Sequence, residues 1–123
     1  MKKLLLKIKN KTLTLFLKET KTAAIIYEST PIDSFVNTWG EEVYFNTNLS
    51  IQKEKDARSV MNLGEIAFWT EGSSIAIGYG KTPISSGDEI RLAAPCNVWA
   101  TASFEKSFFD EINDGDEISL DKS

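Results

Sequence analysis

Side chains able to do chemistry are few in this chain, and one type is missing. Histidine does not occur among the 123 residues, which removes the commonest general base, the commonest neutral metal ligand and every Ser-His or Cys-His nucleophile pair. Cys96 follows Pro95 and is the only cysteine. As a nucleophile it would need a lysine, an arginine or a helix end to hold its thiolate; its other reading is a buried structural thiol. Carboxylate pairs stand at Glu41-Glu42, Asp88-Glu89 and Asp116-Glu117. Neighbours on a strand point to opposite faces, so the two members of such a pair do not converge on one substrate atom, and no metal or glycosidase site is expected from them. The run Gly78-Tyr79-Gly80-Lys81-Thr82 has the glycines and lysine of a phosphate loop, without the glycine spacing or the following helix that cradle a phosphate.

What remains suits binding better than catalysis. Ala76, Gly78 and Gly80 place small residues on one side of a strand, and Ile75, Ile77 and Tyr79 place large ones on the other. The small side is either a groove floor walled by Trp69 and Tyr44, where an apolar ligand or a proline-like ring would lie, or a site of barrel curvature and close packing. Arg58 and Arg91 are the only arginines. Arg58 stands in the loop before the central hairpin, where its fork either reads a carboxylate or carbonyl or is paired locally. The candidate ligand-binding residues are therefore Glu42, Tyr44, Arg58, Trp69, Gly78 and Tyr79, with no catalytic residue, metal or cofactor expected.

Elements to position them follow from periodicity. Leu4, Leu6 and Ile8 alternate with polar positions, as do Leu13, Leu15 and Leu17 beyond Asn10-Lys11, which is a hairpin. Over residues 19–28 the spacing turns helical, with Thr20 or Thr22 able to cap and Pro31 closing the segment. Residues 32–39 and 42–46 read as strands parted by Gly40, with Val43 and Phe45 on one face and Glu42, Tyr44 and Asn46 on the other. A further short strand is expected over residues 49–52, then a loop to Arg58. Residues 63–70 and 74–79 form a hairpin across Glu71-Gly72; residues 89–92 and 97–103 are two more strands. Phe108, Phe109 and Ile112 make a small amphipathic helix stopped at Asp114-Gly115, and residues 117–120 are the last strand.

Length and composition describe one domain over residues 1–123, with average hydrophobic content and apolar residues spread along it. Lysines at positions 7, 9 and 11 break the opening apolar run before a secretory core is built, so neither export nor membrane insertion is expected. A lone cysteine precludes an internal disulfide and fits a reducing cytoplasm. Seven lysines crowd residues 2–21 and seven acids crowd residues 105–121, within a net charge of -4. No nucleic-acid partner is expected of a chain without an overall basic footprint; the basic hairpin lying beside the acidic last strand accounts for the asymmetry. Oligomeric state is left open.

Three blocks go further: Trp39-Gly40-Glu41-Glu42-Val43-Tyr44-Phe45, Gly64-Glu65-Ile66-Ala67-Phe68-Trp69, and Gly78-Tyr79-Gly80-Lys81-Thr82-Pro83. In order and spacing they resemble the small prokaryotic cyclophilin-like proteins, a largely uncharacterised family, over residues 12–120. The resemblance implies a mainly β, closed barrel of about eight strands with two short helices. Cyclophilins proper are prolyl isomerases and lower a rotation barrier of ~18–20 kcal/mol without a covalent step. Their site needs an arginine from a Phe-His-Arg strand followed by Gln-Gly-Gly; the matching strand here is Val43-Tyr44-Phe45-Asn46, and no Gln-Gly-Gly follows. The expectation is a barrel that binds a small molecule or peptide segment in a surface groove without that isomerase chemistry. The alternatives are a weak prolyl isomerase using Arg58, and an interaction subunit of an amidohydrolase-type assembly.

Overall fold

A computed structural model describes residues 2–123, in ten strands and one α-helix. The strands are β1 (Lys3–Ile8), β2 (Lys11–Leu17), β3 (Ile32–Phe35), β4 (Asn37–Thr38), β5 (Glu42–Asn46), β6 (Arg58–Met61), β7 (Glu65–Trp69), β8 (Ser74–Gly78), β9 (Ile90–Thr101) and β10 (Glu117–Lys122); α1 spans Lys21–Ser29. The segment around Phe108 is a 3-10 turn, Lys106–Phe109. Every pairing is antiparallel, and the sheet runs β3-β10-β1-β2-β9-β7-β8-β5-β4, with β6 attached to β9 alone.

The two ends of that path, β3 and β4, are consecutive in the chain and separated by one residue, buried Val36. The barrel therefore closes through the chain itself. Val36 donates its N–H to the Asp116 carbonyl at 2.9 Å and accepts from the Gly115 N–H at 2.8 Å, and the Ser34 hydroxyl reaches the Asn46 carbonyl across the seam at 2.8 Å. Bonds across the seam leave little exposed edge for another chain to extend. The expected single strand over residues 32–39 divides at Val36, and β6 is a strand that the sequence pattern does not mark.

Alternation sorts the side chains into two apolar layers. Leu6, Leu15, Phe45, Phe68, Ile77 and Trp99 point inward and fill the barrel, with no exposure in any of them. On the outer face of β5, β8, β7 and β9 lies a second cluster of Met61, Ala67, Ala76, Ile90, Leu92 and Cys96, with Tyr44, Trp69 and Val98 packed on it. A barrel wall bearing apolar residues outside as well as inside must be covered, and β6 and an irregular part of β9 do this. Arg58 pairs with Cys96 whereas Val60 already pairs with Arg91, so residues 92–95 bulge out of the ladder. The bulge joins what the sequence suggests are two strands, 89–92 and 97–103, into one bent β9.

α1 starts where Thr20 accepts the Ala23 N–H at 3.1 Å, a side-chain cap of the expected kind. Thr22, Ala23 and Ile26 are its buried residues. The strand expected over residues 49–52 does not form. Buried Asn97 holds that stretch in place of a ladder: its Oδ1 accepts the Glu54 N–H at 2.8 Å, and its Nδ2 donates to the Gln52 carbonyl at 2.9 Å and to the Thr22 hydroxyl at 3.0 Å. One side-chain amide thus satisfies backbone groups that a neighbouring strand would otherwise meet. No helix among the described residues is long and apolar enough to cross a membrane.

Candidate functional site

A cavity of about 190 Å3 opens between the outer face of the sheet and the β9 bulge, lined by Trp39, Glu42, Tyr44, Trp69, Ala76, Leu92, Ala93 and Cys96. Register explains the assembly. Glu42 lies opposite Gly78, Tyr44 opposite Ala76, and Ala76 opposite Ala67 on β7, so two long side chains of β5 stand over a floor of small ones. Trp69, at the end of β7, meets Tyr44 edge to face, with centroids 6.1 Å apart and an interplanar angle of 89°. The Trp69 ring lies over the turn at Gly72, where a Cβ would fall 2.3 Å from it. Trp39 enters from the β4–β5 turn, its N–H donating to the Glu42 carbonyl at 3.0 Å. That turn requires Gly40: its φ is +60°, and a Cβ there would sit 2.9 Å from the Lys81 carbonyl oxygen.

Glu42 is the unusual member. The residue is 6% exposed, and its Oε1 is buried with no hydrogen-bond partner among the described residues. Burial pushes the carboxyl up to about 7, since a carboxylate stripped of water and given no donor is costly to ionise. The neighbouring Glu41 points the other way, accepting the Lys81 N–H at 3.0 Å and lying 3.5 Å from the Lys106 ammonium. Cys96 shares the cavity but not the role of a nucleophile: burial first, then the Glu42 charge, pushes its thiol up to about 12, and its Sγ donates to the Ala94 carbonyl. Among the described residues no three of His, Cys, Asp or Glu gather as a metal site.

Known proteins bear on this arrangement. The Cyclophilin-like family matches residues 2–121, nearly the whole chain. The chain belongs to the cyclophilin-like family. The solution structure of the hypothetical protein AF2241 from Archaeoglobus fulgidus is similar throughout, with a TM-score of 0.83 and 31% identity, covering 99% of this chain and 95% of that one. No curated protein matches.

Of the residues singled out in the sequence, this cyclophilin-like barrel brings Glu42, Tyr44 and Trp69 into one cavity. Gly78 lies just outside the lining, and the space a Cβ would take is filled by Ile90, whose Cγ2 is 2.4 Å away, so close packing explains the glycine. Tyr79 turns elsewhere and stacks on Phe109 at 4.7 Å, next to Phe104 and Phe108. Arg58 belongs to β6, not to a loop, and is committed to Glu65: one guanidinium nitrogen donates to Oε1 at 2.7 Å and the other to Oε2. That fork raises the arginine and lowers the carboxyl.

Besides Ala76, which the strand pattern places on the groove floor, the candidate set lacks four lining residues: Trp39, Leu92, Ala93 and Cys96. Hairpin parity was the available signal for Trp39, because the pairing of Thr38 with Val43 sets the next residue out across from Glu42. Nothing comparable marks the other three, which arrive through the bulge. Two larger hollows lie on the surface, one edged by Lys7, Lys9, Asp33 and Asp116 and one by Phe16, Lys18, Glu19 and Ala24. Neither encloses a buried ionisable group.

Proposed function

We propose that this cyclophilin-like chain is a binding protein that takes a small organic molecule, or the side chain of a peptide segment, in the Glu42–Tyr44–Trp69 cavity, without prolyl isomerase chemistry of the cyclophilin type. One observation carries the reading: the poorly solvated Glu42 carboxyl lines a preformed aromatic cavity, and its Oε1 is buried without a hydrogen-bond partner among the described residues. Native proteins rarely leave such a group unsatisfied unless something else meets it. Binding is favoured over turnover because the lining offers no activated nucleophile and no arginine. Arg58, the only substitute for the isomerase arginine on β6, is already held by Glu65. The lone cysteine supports a reducing compartment.

Ligand-observed NMR against a library of small organic fragments, repeated on Ala76→Leu, tests the reading. Leucine at this floor position fills part of the cavity while leaving the barrel interior alone. Fragments that shift the Trp39, Tyr44 and Trp69 resonances and lose at least about tenfold in affinity on Ala76→Leu support it. An absence of binders, or binding indifferent to the substitution, overturns it. A protease-coupled prolyl isomerisation assay should return the uncatalysed rate.

A further inference from the structure

A buried carboxylate, three aromatic rings and no cation describe an unfinished ion pair. We propose that the cavity selects an alkylammonium group, its N–H donating to the Glu42 carboxylate and its carbon body packed in the corner made by Trp39, Tyr44 and Trp69. The proposal rests on the cavity's being a ligand site at all, and it names the chemical class of that ligand.

Four observations converge on a cation of this kind. First, the Glu42 carboxyl lines the cavity and its Oε1 accepts no hydrogen bond from the described residues, so the carboxyl lacks a donor, and a charged donor makes the stronger bond. Second, Tyr44 and Trp69, packed edge to face at 89°, and Trp39 supply three aromatic rings to the lining. Rings around a carboxylate are the arrangement that attracts weakly hydrated organic cations, by charge and by the negative faces of the π systems. Third, the residues are wrong for a metal ion: no second carboxylate and no histidine lines the cavity with Glu42, and hard cations require several oxygen ligands. Fourth, about 190 Å3 is a little more than the engineered apolar cavity of ~150 Å3 that binds benzene, which sets the occupant at about six to eight non-hydrogen atoms.

No group already in place neutralises Glu42. Tyr44 on its own strand and Cys96 on β9 are the titratable side chains that line the cavity with it, and the contributions of β8, β7 and the β4–β5 turn, Ala76, Trp69 and Trp39, carry no charge. Lys53 and Glu71, whose charges reach Cys96, are paired with each other at 2.6 Å. An anionic ligand would meet Glu42 unscreened. A neutral carbonyl ligand could be held only while Glu42 keeps its proton, so it would bind better in acid, whereas an ammonium binds better once the carboxyl has ionised.

Calorimetric titration with cyclopentylamine, cyclopentanol and cyclopentanecarboxylate separates these cases, because the three probes share one carbon body and differ in charge. At about pH 8.5 the amine should bind at least about tenfold tighter than the alcohol, and the carboxylate not measurably. Lowering the pH to about 5.5, where the amine is still a cation and Glu42 is protonated, should shrink that preference by at least about fivefold. Glu42→Gln should abolish the preference of the amine over the alcohol, with the variant's fold checked by its amide NMR spectrum. If the alcohol binds as tightly as the amine, or more tightly at low pH, the cavity remains a ligand site and the cation proposal falls. If none of the probes binds the wild-type protein, the cation proposal falls at this ligand size, and only the fragment library decides the broader binding reading.

Discussion

Glu42 exacts a stability cost that a search for contacts would miss. Its carboxyl lies at about 7 in the folded chain against 4.5 for a solvated glutamate. Between those values the folded chain keeps a proton that the unfolded chain has released, so stability declines as the pH rises through this window; above about 7 the full cost applies, on the order of 3 kcal/mol. Glutamine has the shape of the protonated acid and never ionises. Glu42→Gln should therefore be more stable than wild type by about 1–3 kcal/mol near pH 8 and equal to it within about 0.5 kcal/mol near pH 4. Urea denaturation at the two pH values measures this, and an unchanged difference would mean that the folded carboxyl is solvated. Residues whose present form lowers stability are more often kept for what they bind than for how they pack. Alternation along β5 makes Glu42 and Tyr44 legible as a pair in the sequence, but not the absence of a donor near Oε1, which depends on every element around it.

At the scale of elements, strands with regular alternation were legible and those held by side chains were not. β1, β2 and β10 follow the inward-outward pattern that one buried face imposes, whereas β5, β7 and β8 are apolar runs covered on both faces. β6 escaped notice because its side chains are mostly half-buried and polar, and the expected strand over residues 49–52 is a stretch whose backbone bonds go to Asn97. Lone asparagines in a strand give no hint that they will replace a ladder. The consequence is measurable: Asn97→Ala leaves the Glu54 N–H and the Gln52 carbonyl without their partner and should cost about 2–4 kcal/mol in chemical denaturation, with faster amide exchange concentrated at residues 52–54. Asn97 lies one residue from Cys96, so part of the cavity's rear wall should loosen as well. The β9 bulge is the other illegible element; Pro95 announces an irregularity, but only the pairings of Arg58 and Val60 reveal its size.

Over the whole molecule, closure depends on the last strand. β10 pairs with β3 on one side and β1 on the other, which places the acidic end of the chain beside its lysine-rich beginning. Ion pairs of the Lys9–Asp116 type, 3.5 Å apart and partly solvated, contribute only about 0–1 kcal/mol each, so apolar burial must hold the seam. Leu120 is fully buried and Asp121 beside it exposed. Leu120→Ala should lose about 2–5 kcal/mol and Asp121→Ala less than about 0.5 kcal/mol; equal effects in thermal unfolding would refute a seam closed by packing.

The three tryptophans divide between the two sides of the barrel wall: Trp39 and Trp69 line the cavity, while Trp99 is sealed in the interior with no exposure. The chain thus carries its own optical gauge. Two indoles sense whatever enters the site, and the third emits from surroundings an occupant does not touch, as an internal standard against which their change is read. An aqueous quencher that reaches the first two and spares the third would report whether the cavity is filled without any label.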